Sequence, residues 1–196
     1  MTAYVYDTGS GDLTTTSKNC VSGCHNKIYD QANSTTAVKV DGSEKTLSYG
    51  SATLDGYYVK DTVCIGTNES LCVKDFTFFE IVKDTGLYFD GILGLSPIAP
   101  DKNEGTSMVQ ALSNAKIIDS ERVTFFINFE GKDSQVTFGD EPDGIRNGVV
   151  TLDLYSKYDQ WWTVKLRGNH FGAEDIYKAN TNYAILDTGT SLIALS

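Results

Sequence analysis

The chain has 196 residues, of which 40% are hydrophobic and 11% aromatic, so it can bury a real core as one large domain or two smaller ones. Its 16 basic and 26 acidic residues give a formal net charge of −10, which argues against nucleic acid or an anionic membrane as a partner. No apolar stretch is long enough to span a bilayer, and the first residues do not have the pattern of a secretion signal. We expect a folded monomer.

Short runs of β-branched and aromatic residues recur between turn residues, which is typical of a mostly β protein. In chain order, the predicted strands are residues 36–40, 45–49, 53–63, 73–82, 123–129, 135–138, 148–152, 161–166 and 183–186. Helix is scarce, with the best candidate at 107–115 and a second short turn at 174–178. Trp161 and Trp162 are expected in the core or in a cleft wall.

The four cysteines form two local pairs in the sequence, Cys20 with Cys24 and Cys64 with Cys72. Four cysteines permit three disulfide connectivities, of which we favour local pairing. A zinc site is the less favoured alternative, because the two gaps do not repeat a ligand spacing and the chain has only two histidines. Disulfides would indicate an oxidising compartment.

Two similar motifs lie near the two ends of the chain. Their residues are Asp7, Thr8, Gly9 and Ser10 in the first and Asp187, Thr188, Gly189 and Thr190 in the second. Apolar residues precede each motif, so we expect a strand that runs into a tight turn and presents the aspartate there. A third Asp-Thr-Gly, at 84–86, lacks both the apolar lead-in and the hydroxyl residue, and we interpret it as an ordinary turn. The long-range similarity indicates two lobes related by duplication.

Paired carboxylates have a specific chemical use. Two like charges a few Å apart cannot both be ionised, so they share a proton over a useful pH range. The ionised member can take a proton from water while the neutral member hydrogen-bonds a scissile carbonyl, so that water attacks without an acyl-enzyme. Either aspartate can take either role.

The residues around both motifs resemble, in order and approximate spacing from Asp7 to Ser191, those of the pepsin-like aspartic proteases. The resemblance implies a mostly β, bilobal fold and an endopeptidase that hydrolyses peptide bonds in peptides or proteins at acid pH. It also implies a secreted, lysosomal or vacuolar location. We expect no cofactor and, from the cysteine spacings, no metal. Asp7 and Asp187 would then be the two catalytic carboxylates.

The resemblance also implies roles for the neighbouring residues. Ser10 and Thr190 are similar to the hydroxyls that hydrogen-bond the outer oxygens of the two aspartates, and Thr8 and Thr188 to the threonines that brace the two loops. The segment 89–95 resembles the one that crosses behind the first catalytic loop. Cys20 and Cys24 occupy the place of a small disulfide loop. A substrate-covering flap would have Tyr49, Gly50 and Ser51 at its tip.

The chain departs from the family in two respects. Thr14 stands where the family usually has a tryptophan that supports the flap tyrosine, so we expect looser flap closure. The family also has strands before the first motif and a long stretch after the second, so we expect truncation at both ends: a nearly complete first lobe at 1–140 and a partial second lobe at 141–196. The alternative function is a non-catalytic, protease-derived module that binds peptides.

Overall fold

The computed structural model describes residues 3–26, 29–97, 105–128, 133–140, 149–166, 168, 170–175 and 183–194. Strands dominate this part of the chain, so the prediction of a mostly β fold is confirmed. No helix among the described residues is long and apolar enough to cross a bilayer.

The described residues form thirteen strands and one α-helix. The strands are β1 Tyr4–Asp7, β2 Leu13–Thr16, β3 Val38–Lys39, β4 Lys45–Ser48, β5 Thr53–Cys64, β6 Cys72–Asp84, β7 Gly91–Gly94, β8 Val123–Phe126, β9 Gln135–Phe138, β10 Thr163–Lys165, β11 His170–Phe171, β12 Glu174–Asp175 and β13 Tyr183–Ile185, and the helix is α1 Met108–Asn114. Single turns of 3₁₀ helix lie at Gln31–Asn33, Glu69–Leu71 and Ser156–Tyr158.

Seven strands form one mixed sheet in the order β1-β7-β2-β6-β5-β3, with β4 also paired to β5. The antiparallel hairpin of β5 and β6 is its longest part. Three two-stranded pairs lie outside this sheet, namely β8 with β9, β10 with β13, and β11 with β12. Strand β13 leads directly into the second Asp-Thr-Gly motif, and β10 precedes that motif by about twenty residues. The pairing of β10 with β13 therefore fixes the position of the strand that ends at the motif.

Successive side chains of the β5–β6 hairpin point to opposite faces and supply two cores. Phe78 packs into the larger cluster, which also contains Val59, Val73, Phe76, Leu93, Leu95, Met108, Ala111 and Leu112. The next residue, Phe79, belongs to a smaller cluster with Ala52, Leu54, Tyr58 and Ile81. Helix α1 begins after Ser107, whose side chain caps it, and closes the larger cluster from one side.

Strand β7 lies between β1 and β2 and fixes the first motif. It runs parallel to β1, with Asp7 opposite Gly94, and antiparallel to β2. Beyond its end, the Leu95 N–H donates to the carbonyl oxygen of Asp7 at 2.7 Å, and the Ser96 N–H donates to that of Ser10 at 2.8 Å. The backbone of β7 therefore crosses directly behind the loop that carries Asp7, as the resemblance implied.

Most sequence-based element predictions are confirmed. Eight predicted strand segments overlap an observed strand, and the predicted helix at 107–115 contains α1. The prediction at 148–152 is wrong for the described residues 149–152, which form no strand. Val149 and Val150 are 60% and 78% exposed, and it is Leu154 that bridges to β10 at Val164. Strand propensity without a paired neighbour does not make a strand.

The predicted helical turn at 174–178 is wrong for Glu174 and Asp175, which form β12. Gly172 has a φ of 62° in the two-residue turn that pairs Phe171 with Glu174, and such a turn favours a hairpin. Residues 176–178 lie outside the described part of the chain. So do residues 141–148, beside the predicted lobe boundary, which stays a prediction.

The close passage of β7 behind the Asp7 loop generates a stability prediction. A Cβ at Gly94 would lie 2.4 Å from the carbonyl carbon of Gly11 and 2.5 Å from the backbone nitrogen of Asp12. Because rigid backbone is in the way, Gly94→Ala should lower the free energy of unfolding by about 1–3 kcal/mol or more, measured by urea denaturation.

The matched control is Gly50→Ala, because a Cβ at Gly50 would meet no described atom within 4 Å. It should leave the urea midpoint nearly unchanged. Equal urea midpoints for the two variants would show that β7 does not pack against the backbone of the Asp7 loop as closely as described.

Candidate active site

Asp7 is the last residue of β1, and the turn that follows it supplies its hydrogen bonds. The Gly9 N–H donates to Oδ1 of Asp7 at 2.8 Å, and the Ser10 hydroxyl donates to Oδ2 at 2.5 Å. The aspartate is only 7% exposed. A buried carboxylate that keeps two donors is held in one orientation.

Asp187 follows β13 and repeats the same arrangement in the second motif. The Gly189 N–H donates to its Oδ1 at 2.8 Å, and the Thr190 hydroxyl donates to its Oδ2 at 2.6 Å. Asp187 is half-buried, whereas Thr188 and Thr190 are exposed. The two motifs therefore have the same hydrogen-bond geometry, but the second is more exposed than the first.

Reciprocal hydrogen bonds join the two motifs. The Thr8 N–H donates to the Thr188 hydroxyl oxygen at 3.0 Å, and the Thr188 N–H donates to the Thr8 hydroxyl oxygen at 2.9 Å. Each hydroxyl then donates onward to the backbone of the other motif's lead-in strand, Thr8 to the carbonyl oxygen of Leu186 and Thr188 to that of Tyr6. The four bonds form a closed, nearly twofold set that fixes the loops side by side.

The two aspartates face each other because the third residue of each motif is glycine. A Cβ at Gly9 would lie 2.6 Å from Cγ of Asp187, and a Cβ at Gly189 would lie 2.3 Å from Oδ1 of Asp7. Any larger side chain at either position would occupy the space that the opposite carboxylate needs. The structure thus brings together all eight residues of the two predicted motifs.

The two carboxyl groups have pKa values displaced in opposite directions. Burial is the largest influence on Asp7 and raises its pKa above the ordinary value, and Asp187 raises it further although the Ser10 hydrogen bond opposes both. Burial also raises the pKa of Asp187, but hydrogen bonds from Thr190, Asp7 and the Gly189 N–H outweigh it and leave that pKa lowered. Of the two groups, the more buried Asp7 is thus the one whose surroundings favour the protonated form.

Tyr49, Gly50 and Ser51 occupy the tip of the hairpin of β4 and β5. The Tyr49 N–H donates to the carbonyl oxygen of Ala52 at 2.8 Å and closes the turn, while Gly50 and Ser51 are exposed. Burial raises the pKa of the Tyr49 phenol above its ordinary range.

The tyrosine also lies close enough to the first motif to be affected by its charges. The negative charges of Asp12 and Asp7 raise the pKa of Tyr49 further, and the Ser10 side chain hydrogen-bonds the phenol. The structure thus brings Tyr49 to the Asp7 loop although Thr14 stands where the family usually has tryptophan.

An open cavity of about 1050 Å³ adjoins the second motif. Its wall is mostly apolar and includes Leu95, Val109, Val123, Phe125, Trp162 and Leu186, together with Thr8, Asp187 and Thr188. The Trp162 indole N–H donates to the carbonyl oxygen of Leu95 at 2.8 Å and so ties the segment before β10 to the end of β7. Trp162 is thus a cavity-wall residue, one of the two places expected for it.

The remaining sequence-predicted features lie away from the aspartate pair. Cys20 pairs with Cys24 and Cys64 with Cys72, so both local disulfides form as predicted. The third Asp-Thr-Gly is a turn in which Oδ1 of Asp84 accepts the N–H groups at 86 and 87. No group of three or more potential metal ligands occurs among the described side chains.

Sequence reasoning missed Asp12 as a site residue. This aspartate lies five residues after Asp7, is only 7% exposed, and accepts a hydrogen bond from the Tyr58 hydroxyl at 3.2 Å. A charged residue in the loop between the first Asp-Thr-Gly motif and a buried strand was the available signal. Its partner on β5 is distant in sequence and could not be identified from spacing.

Comparison with known proteins agrees with this geometry. The family model described as eukaryotic aspartyl protease matches residues 2–196. Similar curated proteins include plasmepsin IV of Plasmodium falciparum, 32% identical over 97% of this chain and 42% of that protein. Vacuolar protease A of Neurospora crassa is 33% identical over 97% of this chain and 48% of its own length, and the vacuolar aspartic protease of Candida albicans is 32% identical over 97% and 47%.

The chain spans less than half the length of these curated relatives. Within that span the family match is nearly complete, and both Asp-Thr-Gly motifs fall inside it. The chain therefore belongs to the eukaryotic aspartyl protease family.

Proposed function

We propose that this chain carries both catalytic carboxylates of an aspartic endopeptidase, Asp7 and Asp187. The observation that carries the proposal is the braced pair itself: two carboxyl groups on matching turns, each with an N–H and a hydroxyl donor, face each other across two glycines. Purely structural aspartates do not require two motifs, 180 residues apart, to be locked face to face.

In the proposed reaction, ionised Asp187 takes a proton from a water molecule as the water oxygen bonds to the scissile carbonyl carbon. Protonated Asp7 gives its proton to the carbonyl oxygen, which yields a neutral tetrahedral diol. When the C–N bond breaks, one proton goes to the leaving amine and another returns to the pair. The pKa directions support this assignment, because Asp7 is the more buried group and has the raised pKa, whereas that of Asp187 is lowered.

The residues around the pair take supporting roles in this proposal. Ser10 and Thr190 hold the outer carboxylate oxygens, and Thr8 and Thr188 fix the distance between the loops. The hairpin tip at 49–51 lies on the Asp7 side, where it would cover an extended peptide and exclude water.

We propose peptides or proteins as the substrates, with no cofactor, because the vacuolar relatives are named as proteases. The vacuolar relatives and the two disulfides favour a vacuolar, lysosomal or secreted location. The net charge of −10 favours neither nucleic acid nor an anionic membrane as a further partner.

The alternative is a non-catalytic module that binds peptides. One observation favours it: the Asp187 loop is far more exposed than the Asp7 loop among the described residues, so water competes with its hydrogen bonds. A misplacement of about 1 Å at a catalytic group can cost on the order of 10²-fold in rate.

The decisive activity measurement uses the folded 196-residue chain, an unfolded protein substrate and pH values from about 3 to 7. Because each carboxylate is a general acid or base, Asp7→Ala and Asp187→Ala should each reduce cleavage by about 10²- to 10⁴-fold. A pepstatin-like transition-state mimic should block the parent. A folded parent that binds the mimic but cleaves nothing would overturn the proposal in favour of the non-catalytic module.

The acid and base roles have their own test in the pH dependence of kcat/KM. Loss of the Ser10 hydrogen bond in Ser10→Ala should raise the pKa of Asp7 and move the descending limb to higher pH. The matched variant Thr190→Ala should raise the pKa of Asp187 and move the ascending limb instead. If Ser10→Ala moves the ascending limb, the two roles are reversed.

The same pKa directions predict how stability varies with pH. Asp7 has a raised pKa in the folded state, so its contribution to stability is lost as pH rises through that folded pKa. Asp7→Asn should therefore gain in urea midpoint relative to the parent between pH 3 and pH 7. Asp187 has a lowered pKa, so its contribution is present above the ordinary value of 3.8 and is lost as pH falls through the folded pKa.

Asp187→Asn is the matched control and should be less stable than the parent at pH 7, with the difference shrinking toward pH 3. Changes of the same sign in both variants would contradict opposite displacement of the two pKa values.

A further inference from the structure

The hairpin of β4 and β5 has an exposed tip but an anchored interior. Its ladder pairs Lys45 with Gly56 and Ser48 with Thr53, and the chain reverses over residues 49–52. Tyr49 turns inward and packs on the smaller hydrophobic cluster, to which Tyr58 belongs. The position of the tip therefore depends on how that cluster is attached to the rest of the protein.

Tyr58 makes this attachment through Asp12. Tyr58 is 4% exposed, and its hydroxyl donates to Oδ1 of Asp12 at 3.2 Å. The carbonyl oxygen of Asp12 in turn accepts the Gly94 N–H at 2.9 Å. One residue thus contacts both the hairpin strand β5 and the strand that crosses behind Asp7.

The arrangement of side chains across the sheet makes room for this contact. Thr14 of β2 lies opposite Phe79 of β6, and Phe79 lies opposite Tyr58 of β5, so the three side chains form one row. Tyr58 packs edge-on to Phe79, with ring centroids 5.2 Å apart. Asp12, two residues before Thr14, receives the Tyr58 hydroxyl at the end of this row.

The Asp12 carboxylate also affects Tyr49. After burial, the charge of Asp12 is the largest influence that raises the pKa of the Tyr49 phenol, ahead of the charge of Asp7. The phenol therefore stays neutral and lies in the field of the Asp12 side chain as well as that of Asp7. Two tyrosines of one hairpin converge on the Asp12 side of the first motif.

We propose that Asp12 and Tyr58 form a positioning pair that holds the tip of the β4–β5 hairpin over Asp7. The pair acts through Tyr49 and the hairpin backbone. The proposal rests on the proposed function for the role of the tip as a cover for substrate. The attachment itself is a physical claim that can be measured without proteolysis.

The test is amide hydrogen exchange of the 196-residue chain and its variants, resolved by segment. Tyr58→Phe keeps the ring but removes the donor, so amides at 45–53 should exchange about ten-fold faster, whereas the central amides of β6 should not change. Tyr57→Phe is the matched control. Tyr57 is the neighbouring half-buried tyrosine, with Lys39 Nζ 4.5 Å from its ring centroid, and its variant should exchange like the parent.

Variants of Asp12 separate positioning from packing. Asp12→Ala should loosen 45–53 at least as much as Tyr58→Phe does, and the double variant should exchange more slowly than the sum of the two effects predicts, because both single variants remove the same bond. Asp12→Asn retains an acceptor oxygen and should restore slow exchange. Faster exchange in every segment, additive effects in the double variant, or unchanged exchange at 45–53 would each overturn the proposal.

Peptide cleavage distinguishes failure of the Asp12–Tyr58 proposal from failure of the proposed protease function. In an active chain, Tyr58→Phe should raise KM several-fold with a smaller change in kcat, since the tip binds substrate rather than reacting with it. Loosening at 45–53 in a chain that never cleaves would leave the positioning pair standing and refute the protease. Cleavage by a chain whose Tyr58→Phe variant shows unchanged exchange at 45–53 would support the protease and refute the positioning pair.

Discussion

The reciprocal hydrogen bonds between Thr8 and Thr188 are the interaction on which the candidate site depends. They join segments 180 residues apart in the chain and hold the loops that carry the two carboxyl groups side by side. Gly9 and Gly189 supply the space in which each carboxyl group faces the other. Position and acidity are therefore linked, because the braces bring Asp187 close enough to raise the pKa of Asp7.

The two halves of the pair are supported unequally. The Asp7 loop is bonded to the backbone beyond β7 at two points, through Leu95 and Ser96, and lies in the main sheet. Asp187 depends on β13, the threonine braces and its own turn. The better-supported aspartate is also the more buried one, and burial raises its pKa. Burial raises the pKa of Asp187 as well, but there the hydrogen bonds outweigh it.

Local sequence was sufficient to predict the two motifs, the long hairpin and helix α1, because each has its own periodic pattern or turn residues. Strand β2 was not predicted, since Thr14, Thr15 and Thr16 do not alternate with apolar residues and are buried as consecutive polar side chains in the middle of a sheet. The contact between Asp12 and Tyr58 depends on strand order, which a single sequence does not display. Predictions fail here where long-range pairing decides the environment of a residue.

Chain connectivity also sets when the site can form. Asp7 reaches its place only after β7 has been inserted between β1 and β2, and the opposite carboxylate enters about a hundred residues later. During synthesis the long hairpin of β5 and β6 can fold while the pair is still incomplete, because its contacts are local. The order of translation therefore means that a nascent chain has no aspartate pair until the second motif has been made.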